Sequence, residues 1–480
     1  MLFNSLSFAV FLPIVFLAYW FLRSNKSYQN LLLMVASYYF YACWDYRFLF
    51  LLIFSTLLDY ASGLQMHYTK NSRMKFFWFW LSILINLGFL GIFKYYNFFA
   101  ESFSKALSVF GIETSFIFLD VILPVGISFY TFHGLSYVID IYKNRIEPEK
   151  NFIDYSLFVS FFPLLVAGPI ERATHLLPQI KRERNFDYAK ASEGMRQILW
   201  GLFKKIVIAD NCAYFANIIF NNSYDYSGST LFLGALFFTF QIYGDFSGYS
   251  DIALGTAKLF GFDLLKNFSF PYFSRDIAEF WRRWHISLSS WFRDYLYIPL
   301  GGSKGGIMMK IRNTFIIFIV SGFWHGANWT FIVWGALNAL YFLPLMLLNT
   351  NRSNLEIAAQ GKISPTFREA INILITFLLT VFAWIFFRAD NVLHATSYIK
   401  QIFSGTFFTL PQIELKAYFI LSVVFLFFIT EWLSREYDYG LGLIKNLKSP
   451  FKRYLIYFII VLAIFLIGNF EENEFIYFQF

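Results

Sequence analysis

The sequence is poor in cysteine and in charged residues, and each scarcity excludes a class of protein. Its only cysteines, Cys43 and Cys212, both lie among apolar residues, which excludes a disulfide framework and a thiolate metal cluster. Charged residues make up 15% of the chain, whereas soluble domains carry about 25%. Neither H-E-x-x-H nor G-x-G-x-x-G occurs, so zinc-protease and dinucleotide-binding functions have no support. We expect no bound metal or cofactor.

The chain is instead rich in apolar and aromatic residues, which predicts an all-α polytopic membrane protein. Hydrophobic residues make up 58% and aromatic residues 23% of the sequence, and the mean hydropathy is +0.51. Aromatic side chains suit lipid-facing helix surfaces and interfacial belts. The net charge of +8 comes from basic residues in short links between apolar stretches, as the positive-inside rule requires. We therefore predict membrane lipids, and no nucleic acid, as partners.

Long apolar stretches, several of them short or broken, predict about eleven transmembrane helices, since a helix needs about 20 residues to cross the hydrocarbon core. The first stretch has no basic leader and no small-residue cleavage site, so we expect a transmembrane helix there and not a removable signal. Basic residues after the first, third and fifth stretches predict an outward N-terminus and cytoplasmic links. We find no internal repeat or linker, which predicts one membrane domain over residues 1–480. The stretches are 6–22, 30–44, 48–64, 76–99, 114–141, 152–170, 197–220, 229–260, 313–347 (expected to contain two helices), 368–388, 415–433 and 454–470.

The stretch 152–170 departs from this pattern and predicts a broken or re-entrant element. It begins and ends beside basic links, and it contains Pro163 and Pro169. A proline inside a helix removes a hydrogen bond and kinks the helix. Non-helical backbone at membrane depth persists only where protein or a water-filled cavity surrounds it. We therefore expect this segment to line a cavity.

Two acidic residues lie inside a later apolar region, where lipid-facing side chains would otherwise be expected. Asp245 and Asp251 fall in the sequence QIYGDFSGYSD at residues 241–251, together with two glycines. Charged groups in membrane segments usually face the protein interior or a water-filled cavity. We predict that Asp245 and Asp251 belong to a substrate passage.

A charged, tryptophan-rich segment at 275–296 predicts an amphipathic helix in the membrane interface. Its apolar side chains recur at spacings of three and four, which is the pattern of one helical face. His285 lies on an adjoining row and can face the protein interior, where we assign it a catalytic role. The alternative is an interfacial histidine whose ring points to water. We place the neighbouring Trp284 and Ser287 in the predicted substrate passage.

His325 is the stronger catalytic candidate, because it lies in the almost entirely apolar sequence NTFIIFIVSGFWHGAN. An ionisable group in such a stretch is costly and is usually retained for work on a substrate, an ion or a proton. Its small neighbours allow close approach of helices or of a slender acyl chain. A desolvated histidine stays neutral and can act as a general base. The alternative is a histidine that only hydrogen-bonds neighbouring helices.

Five stretches of the sequence resemble the membrane-bound O-acyltransferases, in particular the bacterial branch with the alginate O-acetyltransferase membrane subunit and its peptidoglycan and D-alanyl relatives. The pair RRWHISLS and SGFWHGANW is the most specific part of the resemblance, which is best over residues 120–390. The resemblance implies a ring of helices around a thinned membrane centre that a tunnel crosses. It also implies that His325 is catalytic and that His285 holds an upstream polar position. The stretches are 123–142, 161–172, 240–255, 270–302 and 313–340.

From these residues and this resemblance we predict a transferase that moves an acetyl group across the membrane for O-acetylation of an exported polysaccharide, alginate-like or peptidoglycan. The resemblance implies a cytoplasmic thioester donor, acetyl-CoA. It also implies a separate periplasmic or cell-surface acyltransferase as partner and a location in the bacterial cytoplasmic (inner) membrane. His325 would act as general base, and His285 would position the donor or relay a proton. Trp324 and Asn328 would shape the tunnel.

We predict that basic residues near the glycine-rich connector at 301–306 attract the phosphates of the donor. Lys304, Lys310 and Arg312 are the candidates, on charge alone. Two other functions stay open: a D-alanyl transfer protein for teichoic acids and, in a different class, a proton-coupled secondary transporter. Transporters often contain inverted repeats with matching broken helices, and we find none in the sequence.

Overall fold

A computed structural model describes residues 1–114, 116, 118–119, 122–166, 168–470 and 475–478. All regular elements in these residues are helices joined by turns and loops, which confirms the predicted all-α class. The chain forms two compact units: Met1–Gly194 with Ala253–Leu265, and Met195–Ile252 with Lys266–Phe480.

The first unit is built mainly from nine helices and a π-helical turn at Gly91–Tyr95. Side chains of Asn25, Asp45, Asn71 and Asn151 accept hydrogen bonds from backbone N–H groups at the starts of four of these helices. Such caps satisfy donors that have no partner within the helix. The helices are α1 (Leu6–Phe21), α2 (Lys26–Ala42), α3 (Tyr46–Tyr68), α4 (Ser72–Leu90), α5 (Tyr96–Ser108), α6 (Ile127–Tyr142), α7 (Phe152–Ser160), α8 (Phe162–Leu165) and α9 (Ala173–Lys181).

A polar cluster joins α3 to α4 inside the first unit. The carboxylate of Asp59 accepts hydrogen bonds from Ser82 Oγ at 2.6 Å and from Asn86 Nδ2 at 2.8 Å. All three side chains are buried. Hydrogen bonds between membrane helices contribute about 0.6 kcal/mol each on average, so this cluster fixes the register of α3 against α4.

The predicted break in the stretch 152–170 is confirmed. Helix α7 ends at Ser160, Phe161 has a non-helical backbone, and the four-residue α8 follows. The N–H of Phe162 donates to Ser37 Oγ on α2 at 3.0 Å, which satisfies a donor that the break has released. Ala167 lies outside the described residues.

The second unit contains the remaining helices, and two helices carry residues of both units. These two are α10 (Tyr188–Leu202) and α12 (Gly228–Leu259). A π-helical segment, Phe203–Ala209, continues α10 into α11. The helices of the second unit are α11 (Asp210–Asn221), α13 (Ile277–Arg283), α14 (Ile286–Phe292), α15 (Gly306–His325), α16 (Trp329–Leu347), α17 (Phe367–Arg388), α18 (Val392–Ile402), α19 (Leu415–Leu433) and α20 (Pro450–Ile467).

Seven helices among the described residues are long and apolar enough to cross a membrane, which makes the chain a multi-pass membrane protein. The expected pair of helices in 313–347 is confirmed as α15 and α16. In the predicted stretch 114–141 the helix begins only at Ile127. Four residues of that stretch lie outside the described part of the chain: Ser115, Ile117, Asp120 and Val121. The membrane-length helices are Tyr46–Tyr68, Ser72–Ser108, Gly306–His325, Trp329–Leu347, Phe367–Arg388, Leu415–Leu433 and Pro450–Ile467.

The prediction of one continuous helix over 275–296 is wrong. The segment forms two short helices, α13 and α14, and a π-helical turn at Arg293–Tyr297. At the break, Ser269 N donates to the carbonyl of Arg283, and Ile286 N donates to the carbonyl of Asn267. A neighbouring extended segment thus supplies hydrogen bonds that an unbroken helix would make internally, and the helical pattern of side chains gives no sign of it.

Candidate active site

His325 is the last residue of α15, and the close packing of α15 against α16 fixes its position. A Cβ atom at Gly322 would lie 2.2 Å from the carbonyl oxygen of Phe331. A Cβ atom at Gly335 would lie 2.3 Å from the carbonyl oxygen of Phe318. Only glycine permits this approach, so small residues near His325 allow the two helices to pack closely; the approach of an acyl chain stays a prediction. The histidine itself is 2% exposed.

Aromatic rings surround the imidazole of His325. The ring centroids of Trp324 and Trp334 lie 4.8 and 5.2 Å from the imidazole centroid. Those of Phe387 and Tyr477 lie at 5.2 and 5.4 Å. An apolar cage of this kind excludes water, which strengthens every electrostatic interaction of a bound substrate and protects a reactive intermediate from hydrolysis.

His285 occupies the break between α13 and α14 and is 1% exposed. Its φ of 42° lies in the left-handed region, which costs a residue other than glycine about 1–3 kcal/mol and is concentrated at functional sites. No described residue hydrogen-bonds to either of its ring nitrogens. Burial lowers the pKa of His285 to about 3, so the ring is neutral and its nitrogens are available to a ligand.

The two predicted catalytic histidines lie in one site, because both contact Trp324. The indole centroid of Trp324 is 4.8 Å from the ring of His325 and 6.0 Å from the ring of His285. The ring of Phe246, on α12, lies 4.6 Å from His285 and 4.7 Å from Tyr477. The structure therefore gathers both histidines and three aromatic side chains from distant parts of the sequence.

Trp284 and Ser287 hold the backbone around His285. The Trp284 ring is fully buried, with the rings of Trp384 and Phe268 at 4.9 and 5.0 Å. Ser287 Oγ donates to Asn267 Oδ1 at 2.5 Å. Both side chains thus pack beside the histidine, and their predicted contact with substrate stays a prediction.

The acidic residues Asp245 and Asp251 are paired with lysines. Lys204 Nζ lies 2.6 Å from Asp251, and Lys205 Nζ lies 2.8 Å from both Asp245 and Asp210. Asp245 also accepts a hydrogen bond from the N–H of Ile476 at 2.7 Å. Asp245 is buried as predicted, whereas the side chain of Asp251 is 13% exposed. The place of both residues in a substrate passage stays a prediction.

Asn328 is the N-cap of α16. Its side-chain oxygen accepts from Thr330 N at 3.0 Å, and its amide donates to the carbonyl of Asp390 at 2.9 Å. Asn328 therefore links the turn that follows His325 to Asp390, which lies just after the end of α17. Its predicted contribution to the tunnel wall stays a prediction.

Sequence reasoning missed several residues of the site, most notably Tyr477. Phe246, Trp334 and Phe387 also surround the histidines, and each comes from a different helix. Their local sequences resemble those of many lipid-facing positions in a chain with 66 phenylalanines. Only the tertiary structure separates them from the rest.

A cavity of about 480 Å³ lies in the second unit and reaches the helix that carries His325. Ser321, one of its lining residues, stands four positions before His325 on α15, so both lie on the same face of the helix. Of the predicted phosphate contacts, Lys310 lines the cavity, and Arg312 instead donates to Leu300 O and Asn313 Oδ1. The basic lining residues are Arg293, Lys310 and Arg352, and the apolar ones include Trp281, Ile317, Phe318 and Phe342.

Comparison with known proteins matches this chain to acyltransferases. A protein from Pseudomonas aeruginosa named "Probable alginate O-acetylase AlgI" is 41% identical over 396 residues, which are 82% of this chain and 73% of that protein. A peptidoglycan O-acetyltransferase from Helicobacter pylori is 38% identical over 83% of this chain and 79% of its own length. A teichoic acid D-alanyltransferase from Streptococcus thermophilus is 31% identical over 45% of this chain and 55% of its own length.

The family model covers the region that holds both histidines. The family model of the membrane-bound O-acyltransferases matches residues 143–387, which include both histidines and the lysine–aspartate pairs. Together with relatives about 40% identical over most of the chain, this match makes the protein an enzyme of the acyltransferase class. The chain belongs to the membrane-bound O-acyltransferase family.

Proposed function

We propose that this enzyme transfers an acetyl group from a cytoplasmic thioester for the O-acetylation of an exported polysaccharide, with His325 as its catalytic residue. The observation that carries the proposal is the position of His325: it is buried in an aromatic cage at the end of the helix whose preceding turn lines a cavity with basic residues. The relatives named for alginate and peptidoglycan O-acetylation support acetyl as the group and a polysaccharide as the final acceptor.

The cavity fits a donor of the acetyl-CoA type. Such a donor carries phosphates at one end and an acyl thioester at the other. Arg293, Lys310 and Arg352 provide positive charge for the phosphates, and hydrogen bonds to a charged group contribute about 1.5–3 kcal/mol each. Trp281 and Phe318 provide apolar walls for the chain that links the phosphates to the thioester.

Acyl transfer at this site requires a base. The hydroxyl oxygen of the acceptor attacks the thioester carbonyl, the C–S bond breaks, and His325 takes the hydroxyl proton and gives it to the leaving thiolate. His285 is neutral and fully buried, and it holds the acyl carbonyl or the acceptor through one of its ring nitrogens. The aromatic cage keeps water away, which favours transfer over hydrolysis of the thioester.

The rest of the pathway follows from the position of the enzyme in the cytoplasmic (inner) membrane of a bacterium. Acetyl-CoA is cytoplasmic, whereas the polysaccharide is outside. As the family resemblance implies, a separate acyltransferase with a serine nucleophile, periplasmic or on the cell surface, completes the transfer. Family membership favours acyl transfer over the alternative of a secondary transporter.

The proposed role of His325 is tested with inverted membrane vesicles that expose the cytoplasmic face. Vesicles receive labelled acetyl-CoA, and release of free thiol and retention of label are measured. His325→Gln should lower transfer by about 10²–10⁴-fold, the effect of losing a general base. His394→Gln is the matched control, because His394 is also a buried histidine and its ring hydrogen-bonds Ser223. Transfer at the wild-type rate by His325→Gln would refute the assignment.

D-alanyl transfer is the second candidate, since the D-alanyltransferase relatives match 45% of the chain. It differs in the donor, which is then a D-alanyl thioester on a carrier protein. The same vesicles distinguish the two functions: transfer from acetyl-CoA without a carrier supports the first candidate, and transfer only from a D-alanyl carrier supports the second.

A further inference from the structure

Arg388, the last residue of α17, lies beside the aromatic cage and has no part in the proposed reaction. The preceding residue, Phe387, belongs to the cage, with its ring 5.2 Å from that of His325. Two residues after Arg388, the carbonyl of Asp390 accepts a hydrogen bond from Asn328 at 2.9 Å. Contacts on both sides of Arg388 therefore hold this part of the chain next to the candidate active site.

Neutral groups of α11 hold the guanidinium of Arg388. Its Nη2 donates to Asn217 Oδ1 at 2.9 Å and to Asn221 Oδ1 at 3.0 Å. Its Cζ atom lies 5.4 Å from the ring centroid of Phe220. Because the guanidinium is planar and already fixed at one nitrogen, it loses little freedom when its remaining donors bind a ligand.

The remaining donors of this guanidinium are available. Nε and Nη1 of Arg388 donate to none of the described residues, and the side chain is partly exposed. The acidic residue nearest in sequence, Asp390, lies 3.3 Å from His394 Nδ1 instead. No described carboxylate pairs with Arg388, and a partly buried charge without a counter-ion is costly. An anion bound at Nε and Nη1 would remove that cost.

The chemistry of the surrounding surface favours a sugar acid over a simple anion. A carboxylate fits an arginine fork through two parallel hydrogen bonds. The side chain of Asp390 is 70% exposed and would repel a simple anion, but it can accept hydrogen bonds from hydroxyl groups. Asn221 and Asn222 are also exposed and provide both donors and acceptors. A group that combines one carboxylate with several hydroxyls is a uronic acid.

This surface lies at the end of the second unit that is opposite the donor phosphates of the proposed function. Lys310, which lines the donor cavity, is near the start of α15, and His325 is at its end. The 20 residues of this helix span about 30 Å. Arg388 adjoins the His325 end through Phe387. With a cytoplasmic donor, Arg388 therefore lies on the side of the exported polysaccharide.

We propose that Arg388 binds a uronate carboxylate of the exported polysaccharide and holds the polymer at the outward end of the catalytic site. The proposal rests on the proposed function and names the class of polysaccharide, one that contains uronic acids. The bound polymer lies where the acetyl group leaves the enzyme, ready for the separate acyltransferase that completes the transfer. The alternative is an arginine that only links α17 to α11 through two asparagines.

The test measures the binding of oligosaccharides to the purified full-length enzyme in lipid nanodiscs. The two probes are an oligomannuronate and the same oligomer with its carboxyl groups reduced to alcohols. The wild-type enzyme should bind the oligomannuronate about tenfold more tightly, since hydrogen bonds to a charged group are the stronger ones. The difference should shrink at high salt. Both probes are compared on the same protein, so this result does not depend on the folding of a variant.

Arg388→Gln should lower the affinity for the oligomannuronate about 10–100-fold and leave the affinity for the reduced oligomer nearly unchanged. Arg388→Lys should fall between, because lysine keeps the charge but lacks the planar fork. Arg282→Gln is the matched control, since Arg282 also donates to two neutral oxygens, the carbonyls of Asn351 and Asn354. It should bind the oligomannuronate as the wild-type enzyme does. Thermal melting checks that each variant is folded.

Three results would overturn the carboxylate site: equal affinity of the wild-type enzyme for both probes, no binding of the oligomannuronate, or wild-type affinity in Arg388→Gln. A glutamate oligomer of the same charge that binds as tightly as the oligomannuronate would overturn the assignment to a polysaccharide, because the site would then recognise an acidic protein segment. All these results leave the proposed function intact, since thiol release from acetyl-CoA is measured without polymer. The proposed function fails separately, if His325→Gln transfers acetyl at the wild-type rate.

Discussion

The ammonium of Lys205 lies 2.8 Å from the carboxylate of Asp245, with side chains that are 1% and 4% exposed. Lys205 makes a second pair of the same length with Asp210. Bringing such charges out of water costs several kcal/mol per ion, and their attraction offsets this cost only while the set is complete. Because Lys205 pairs with both Asp210 and Asp245, replacing the lysine breaks two ion pairs, whereas replacing one aspartate breaks only one.

Lys205→Met should destabilise the protein far more than Asp245→Asn. The first substitution leaves two buried carboxylates without a counter-charge, and breaking a buried pair in this way costs about 3–5 kcal/mol. The second leaves Lys205 paired with Asp210. Thermal melting in detergent, followed by size-exclusion chromatography, measures the difference.

The control for these charge substitutions is an exposed pair. Lys190 and Asp263 lie 2.6 Å apart, and the aspartate side chain is 57% exposed. Asp263→Asn should leave the melting temperature nearly unchanged, because exposed pairs contribute about 0–1 kcal/mol. Equal losses in Lys205→Met and Asp245→Asn would show that the lysine does not serve both carboxylates.

Gly322→Ala should reduce both stability and activity. The added methyl group would lie 2.2 Å from the carbonyl oxygen of Phe331, so α15 and α16 must separate and His325 must move with them. Acyl transfer should fall by at least about 100-fold, as expected when a catalytic group moves by about 1 Å. Vesicle transfer assays and thermal melting measure the two effects.

Gly88→Ala on α4 is the matched control, since a Cβ atom there has no neighbour within 4 Å. Alanine should stabilise that helix by up to about 1 kcal/mol because it has the higher helix propensity. If Gly322→Ala also raises the melting temperature and leaves acyl transfer unchanged, the close helix packing does not hold His325 in place.

The sequence predicts the features that depend on local composition. Hydropathy alone predicts most of the membrane-length helices, and prolines predict the break between α7 and α8. The cost of an ionisable group in an apolar stretch identifies His325, and the structure places it in a buried site together with His285. The helices, the break and the burial of His325 could be predicted because each rests on the energetics of a few neighbouring residues; the catalytic role of His325 stays a prediction.

The features that depend on distant partners could not be predicted. The helix at 275–296 breaks because Asn267 and Ser269 offer backbone hydrogen bonds that no helical pattern reveals. Tyr477 enters the site because its neighbour Ile476 bonds to Asp245, which lies 231 residues earlier in the chain. Such contacts pair groups whose local sequences look like those of lipid-facing helices, so only the tertiary structure selects them.

His285→Asn should retain more activity than His285→Ala. Asparagine tolerates the left-handed backbone that His285 adopts and keeps a side chain that can hydrogen-bond a ligand. Alanine lacks both properties, so it adds backbone strain of about 1–3 kcal/mol to the loss of the ring. Initial rates at several acetyl-CoA concentrations measure kcat and KM for each variant; equal rates for the two variants would contradict a role for the side chain.

The pH dependence of stability gives a separate check on the burial of His285. The pKa of His285 is about 3, below the ordinary value of about 6.5. Below pH 6.5 the histidine therefore binds a proton in the unfolded chain but not in the folded chain. Stability from this group is therefore complete above about pH 6.5 and falls as the pH is lowered further. His285→Asn should melt with a weaker pH dependence between pH 7 and pH 4 than the wild-type protein. Identical pH dependence in the two proteins would show that the ring is open to water.

Substitution of the basic residues that line the cavity should weaken binding of the donor and leave the chemical step intact. Lys310→Ala and Arg352→Ala should each raise KM for acetyl-CoA about tenfold, the effect of losing about 1.4 kcal/mol, with kcat nearly unchanged. The increase in KM should shrink at high salt, because screening weakens the attraction of the wild-type cavity for phosphates. Lys304→Ala is the matched control, since Lys304 is exposed and does not line this cavity. Residues that contact only the phosphates bind the ground state and the transition state equally, so their loss raises KM and does not change kcat. A fall in kcat with unchanged KM for the two cavity variants would therefore show that the donor phosphates bind elsewhere.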